Sequence, residues 1–352
     1  MTQNIFHADY PWTSPDVPLV VSAPMMKITL GSHAVSVSSS GGLGFLAGGF
    51  DLTPLANDLA EAAEFAKAQE VPLHNGCLPI GVGFQNWGSD LQLALEAIKK
   101  HPVAAVWFFA PKQLSDLLEW AREIRTATEN KTKIWIQVGT VSEALEVAKT
   151  AKPDVLVVQG ADSGGHGLAH RASLLTLLPE TVDALAEEGI KIPIVAAGGI
   201  MDGRGSAAVL ALGADGVALG TRFLAAKEAV IAKGYQDEVL RVSDGGVSTA
   251  ASTIYDVVRN IHGWPQTYNG RGVVNRTYQD AKHGMSNEEN VQLYKKAMQQ
   301  GDSGWGPEGR MTTYAGTGIG LVREVLPAGD IVKQVQQETV KVLQKSTARF
   351  AP

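Results

Sequence analysis

Residues 159–167 read QGADSGGHG, directly after the apolar run DVLVV. His166 stands in this stretch among Gly160, Gly164, Gly165 and Gly167, so little side-chain bulk surrounds it and its imidazole is expected to project from the loop. A neutral imidazole, with an ordinary pKa of about 6.5, suits removal of a proton from carbon beside an activating group near neutral pH. Asp162 is placed either to orient that ring or to cap the loop. Two further glycine-rich stretches, AAGGIMDGRG (196–205) and GTRF (220–223), carry Gly198, Gly199, Gly220 and Thr221. Glycines let backbone N–H groups approach a phosphate, and the N-terminus of the following helix adds a favourable dipole. Arg204 and Arg222 flank these loops and either assist with a phosphate or form surface ion pairs.

Short valine- and isoleucine-rich runs alternate with stretches of helical spacing, the pattern of repeated strand–helix units. Eight strands are read: 18–23, 34–39, 78–83, 103–109, 133–138, 154–159, 192–197 and 215–220. Helices are expected near 54–70, 89–100, 112–128, 141–151, 173–189 and 203–213. Continuous apolarity marks strands buried on both faces, and eight of them predict an α/β fold, a closed (β/α)8 TIM barrel. Loops after the strands then converge on one end, which brings His166 and the glycine loops together. The barrel is assigned to residues 1–234. A polar, turn-rich segment over 235–312, with two or three helices and no barrel strand, is read as a mostly helical insertion covering the active site. Residues 313–352 return to the barrel and end in a helix.

The formal net charge is −6 with a pI of about 5.8, and no block of lysine and arginine tracks a phosphate backbone, which argues against nucleic acid. The N-terminal stretch lacks a leader, and no run approaches the roughly 20 apolar residues of a membrane span, so a soluble cytoplasmic protein is expected. The single cysteine, Cys77, forms no internal disulfide and no metal cluster; redox chemistry would need a cofactor. His33 and His74 have no ligand spacing and read as structural or exposed. Tyr314 serves either the site or a hinge, and Trp264 and Tyr268 form either a lid or an oligomer contact. Phe108 and Phe109 either line an apolar pocket or fill the barrel core, and core is the favoured reading.

Five stretches taken in order, SAPMMKI, SSSGGLGFL, QGADSGGHG, the run from AAGGIMDGRG through GTRFL, and TTYAGTGIGLVREVLPAGDIV, resemble the nitronate monooxygenase family, formerly called 2-nitropropane dioxygenases. The resemblance spans about residues 18–335. It implies an FMN-dependent barrel that converts nitronates or nitroalkanes, with dioxygen, into carbonyl compounds and nitrite, without metal or nicotinamide. It further implies that His166 is the base, that Ala23, Pro24 and Met25 contact the flavin ring through backbone, and that Gly198, Gly199, Gly220 and Thr221 hold the phosphate. Gly165 in the histidine loop, and Gln137 and Gln159 at strand ends, are implied to lie beside the cofactor. Two departures stand out. Ser39 replaces a family asparagine, which would alter a flavin-side contact, and WFFAP (107–111) replaces a histidine-containing strand end, which would alter the substrate pocket. The rival readings are an FMN-dependent enoyl or quinone reductase using NAD(P)H and a non-catalytic barrel for a phosphorylated ligand. The C-terminal YAGTGIGLV with PAGDIV favours the monooxygenase.

Overall fold

The computed structural model describes residues 4–350. In chain order the barrel half contains β1 (Leu19–Ser22), α1 (Gly31–Ser38), β2 (Leu43–Gly49), α2 (Leu55–Ala68), β3 (Leu78–Gln85), α3 (Leu91–Lys100), β4 (Val103–Phe109), α4 (Asp116–Ala127), β5 (Lys133–Val138), α5 (Val141–Thr150), β6 (Val155–Gln159), β7 (Gly165–Leu168), α6 (Leu174–Glu187), β8 (Ile194–Ala197), α7 (Gly203–Ala211) and β9 (Gly216–Leu219). All of these strands except β7 form a closed barrel of eight, with β9 pairing in parallel with β1 from Leu19↔Gly216 to Ser22↔Leu219. A closed parallel barrel has no free edge and places every strand's C-terminal end on one rim. Helices start where side chains satisfy free backbone N–H groups: Asp90 caps α3, Thr140 caps α5 and Asp202 caps α7.

The barrel lumen is filled by aromatics. Phe45 meets Trp107 edge-on at 5.1 Å and lies 5.2 Å from Trp135. Tyr10, from the N-terminal segment, accepts a hydrogen bond from Trp135 Nε1 at 2.8 Å and helps plug the end opposite the rim. A second apolar layer, which includes Phe108, Trp120 and Ile136, joins the strands to the surrounding helices.

The second barrel strand is not where residue pattern placed it. AVSVSS (34–39) lies in and just beyond α1, and the strand is the glycine-rich β2 that follows. Alternating valines satisfy a period of 2, yet an eight-residue helix buries the same residues. Glycine is depleted in strands, so β2 reads as a loop. Here it is required, because a Cβ on Gly44 would lie 2.0 Å from the Ala34 carbonyl oxygen of the helix packed on it.

After β9 come α8 (Lys233–Arg241), α9 (Gly245–Ser248), β10 (Thr249–Ser252), α10 (Ile254–Val258), β11 (Tyr268–Val273), α11 (Arg276–Lys282) and α12 (Asn287–Met298). This segment contains more helices than expected, and also two strands. They do not join the barrel: β10, β11 and β7 form a separate antiparallel sheet in which Gly270 pairs with His166. The final helix, α13 (Ala328–Phe350), packs on α7 and α1. Among the described residues no helix is long and apolar enough to cross a membrane.

Candidate functional site

A cavity of about 410 Å³ opens at the C-terminal rim, within the range of small-ligand pockets. Its wall includes His166, Ala23, Pro24, Met25, Gln137, Gln159, Gly165, Gly198, Gly199, Gly220 and Thr221, so the eleven residues that the resemblance implies for the base and the cofactor meet at one place. The cause is topological. Each lies at or just past the end of β1, β5, β6, β8 or β9, except that Gly165 and His166 come back over the rim on β7.

The histidine loop is held from several sides. Arg171 donates to the Gly160 carbonyl at 3.1 Å, to Ser163 Oγ at 2.8 Å and to the Leu168 carbonyl, so one guanidinium spans the loop. Gln159 Nε2 donates to the His166 carbonyl at 3.2 Å. His166 Nε2 faces both oxygens of Asp256, at 3.0 and 2.9 Å. Tyr314 donates its hydroxyl to Asp256 Oδ1 at 3.1 Å. Burial, and then the Asp256 carboxylate, hold the Tyr314 hydroxyl well above the usual tyrosine range, so it remains a neutral donor. Trp264 lies on the imidazole with ring centroids 3.8 Å apart and an interplanar angle of 2°. With Nε2–H donated to Asp256, the remaining nitrogen, Nδ1, carries the ring's lone pair. Gly270 permits the approach: a Cβ there would sit 2.8 Å from the Tyr314 ring and 3.3 Å from His166 Nε2.

On the other side of the cavity, Gly198 and Gly199 adopt φ values of 106° and 76°, a conformation that favours glycine. The space beside Gly165 is empty within 4 Å, and a Cβ on Gly220 would meet nothing closer than 3.8 Å. Thr221 Oγ1 accepts from Gly316 N at 3.0 Å, leaving its hydroxyl proton free to donate. Gln137 accepts from Trp107 Nε1 at 3.0 Å, which presents the rest of its amide at the rim.

Several expectations need correction. Asp162 does not orient the histidine; its Oδ1 accepts from Thr317 at 2.9 Å and ties the loop to the returning chain. The N-terminus of α7 does not serve an anion, because Asp202 and Glu338 already accept from its first N–H groups. Arg204 pairs with Asp202, and Arg222 donates to the Glu324 carbonyl at 3.3 Å; both border a separate surface groove. Ser39 is exposed at the end of α1, remote from the rim, and its hydroxyl donates to the Ser36 carbonyl at 3.1 Å. Phe108 is core, but Phe109 lines the cavity and packs on Trp264 and Tyr268. His33 is fully buried against Phe223. Residue pattern missed Asp256, Arg171, Arg259 and Gly270; none sits in a recognisable motif, and Asp256 reaches the histidine only through the separate three-stranded sheet. No cluster of metal-binding side chains exists among the described residues.

Residues 96–338 match the family described as nitronate monooxygenase. Nitronate monooxygenase npaC of Metarhizium robertsii is 47% identical over 345 residues, covering 97% of this chain and 95% of that protein. A nitronate monooxygenase of Neurospora crassa is 36% identical over 355 residues, covering 94% and 91% respectively. Among solved structures, a nitroalkane oxidase of Streptomyces ansochromogenes matches with a TM-score of 0.70 at 26% identity, covering 94% of this chain and 98% of that one. FabK of Thermotoga maritima shares the fold, with a TM-score of 0.73 at 22% identity and 98% coverage of both chains.

Proposed function

The chain belongs to the nitronate monooxygenase family, a family of flavin-dependent oxidoreductases, and from that premise we propose that it oxidises small alkyl nitronates and nitroalkanes with dioxygen to carbonyl compounds and nitrite, using FMN. The observation that carries the reading is the His166–Asp256 pair, set on a cavity whose opposite wall is a glycine cradle.

The residues fit the cofactor. The empty volumes beside Gly165 and Gly220 are where side chains would otherwise intrude, and Gly198, Gly199 and Thr221 supply backbone and hydroxyl donors for a phosphate. Ala23, Pro24 and Met25 would support the ring by backbone, with the Gln137 and Gln159 amides at its polar edge. When bound, FMN supplies the electron-accepting chemistry that no side chain here provides.

The protein's own part is proton transfer and seclusion. His166 Nδ1 takes the proton from the carbon beside the nitro group, while Asp256 fixes the tautomer and balances the charge that forms on the ring. Trp264 holds the plane of the imidazole, and with Phe109, Trp87 and Tyr268 it makes an aromatic roof over the reacting end. A substrate that arrives as the nitronate has no proton to give and depends less on His166.

The test is oxygen uptake by the FMN-loaded protein with ethyl nitronate, with nitrite measured in parallel. Nitrite release coupled to oxygen uptake, with NADH failing to bleach the flavin anaerobically, is expected. Rapid bleaching by NADH without nitrite from the nitronate would assign a reductase instead.

A further inference from the structure

Proton transfer leaves one strong feature of the cavity unused. The wall carries the side chains of Lys27, His166 and Arg259, and among the described residues no carboxylate lines it. Lys27 has Asp51 as an electrostatic neighbour. Arg259, just past α10, is open to the cavity; it hydrogen-bonds the Tyr314 side chain, and its charge acts on Tyr314 and Tyr235. Its guanidinium carbon stands 5.3 Å from the Tyr314 ring centroid. Burial keeps the Tyr314 and Tyr235 hydroxyls protonated at neutral pH, so neither offsets the cation. A guanidinium without a carboxylate partner on a partly closed wall favours an anionic guest. The same Tyr314 ring lies 5.3 Å from the imidazole of His166, so the base and the cation flank one aromatic surface.

We propose that Arg259 recognises the substrate's nitro group, its two-pronged N–H face pairing with the two oxygens of the planar O–N–O unit. This rests on the reaction proposed above. The chemistry is that of guanidinium with carboxylate, which has the same planar pair of oxygens. When the α-proton moves from carbon to His166 Nδ1, the electron pair left behind delocalises onto those oxygens. The pairing therefore strengthens as charge develops, and for a neutral nitroalkane it accelerates the proton transfer. For a preformed nitronate, already charged, it acts on binding.

The experiment compares FMN-loaded wild type with Arg259→Met and Arg259→Lys. In Arg259→Met, kcat/KM for ethyl nitronate is expected to fall roughly 10- to 150-fold, the range for losing a charge-assisted pair, with the loss mainly in KM. The loss on neutral nitroethane should fall mainly in kcat. Arg259→Lys should recover part of both. Nitrate, an inert planar anion, should perturb the flavin spectrum of wild type with a Kd that rises in parallel in Arg259→Met. FMN affinity should be unchanged. Nitronate kcat/KM and nitrate Kd both within twofold of wild type would overturn the proposal. A parallel loss of FMN affinity would also overturn it, by assigning the guanidinium to the cofactor. Nitrate binding is read without turnover, so a wild type that binds nitrate but never oxidises nitronate would refute the proposed reaction separately.

Discussion

Asp256→Asn isolates the claim that a carboxylate outside the barrel makes His166 a base. In the native site Nε2 lies 3.0 and 2.9 Å from the two carboxylate oxygens, and among the described residues no other carboxylate pairs with the ring. Asparagine keeps the volume but removes the charge, and its NH2 group can donate to Nε2 and move the ring proton onto Nδ1, the nitrogen needed for the substrate. A hydrogen bond to a charged group contributes about 1.5–3 kcal/mol, which corresponds to a roughly 10- to 150-fold loss at about 1.4 kcal/mol per tenfold. That loss should appear in kcat for neutral nitroethane. With ethyl nitronate, whose proton has already gone, the loss should stay below about threefold on the same scale. Oxygen uptake with the two substrates, at one pH and with FMN saturating, gives the comparison. Equal losses on both substrates, or none on either, would refute the assignment of Asp256 to proton transfer.

Other consequences follow from the same geometry. Burial without a partner lowers the pKa of the His33 imidazole from 6.5 to about 4. The unfolded chain therefore binds the proton first as pH falls, and stability that is complete above pH 6.5 drains away towards pH 4. At about 1.36 kcal/mol per pH unit the loss across that window is about 3 kcal/mol. Urea midpoints at pH 7.5 and pH 4.5 should therefore differ less in His33→Leu than in wild type; an unchanged difference would show that His33 does not titrate on unfolding. Gly199→Ala puts a Cβ 2.9 Å from that of Asp162 at a φ of 76°. Strain of about 1–3 kcal/mol is expected there, read as FMN affinity reduced by about fivefold or more in a fluorescence titration, whereas unaltered affinity would remove this loop from the cofactor site.

How much of this was legible depended on how local each cause was. Lys133–Val138 forms a strand as read, because a short apolar run buried on both faces has few other options. Leu43–Gly49 was not legible, because what makes it a strand is a helix packed so closely that only glycine fits, a fact about distance in space rather than spacing in sequence. The placement of His166 was legible from its position after a barrel strand. Its partner was not: Asp256 lies 90 residues away and is brought across by β7 pairing with β11 and β11 with β10. The sequence places Trp264 and Tyr314 without deciding between site and packing, because their roles depend on that same sheet closing over the rim. Arg204 follows the surface ion-pair alternative, pairing with Asp202, and Arg222 donates to the Glu324 carbonyl; nearness in sequence to the glycine loops brings neither side chain into the cavity, and both border the outer groove.

The central claim is that His166 removes the proton from the carbon beside the nitro group, and the most direct measurement is oxygen uptake by FMN-loaded His166→Asn. Nitroethane and ethyl nitronate would be compared with FMN content measured on the same sample. The account predicts retained FMN, nearly abolished turnover of nitroethane and substantial turnover of ethyl nitronate. Wild-type rates on nitroethane, with FMN bound, would contradict it.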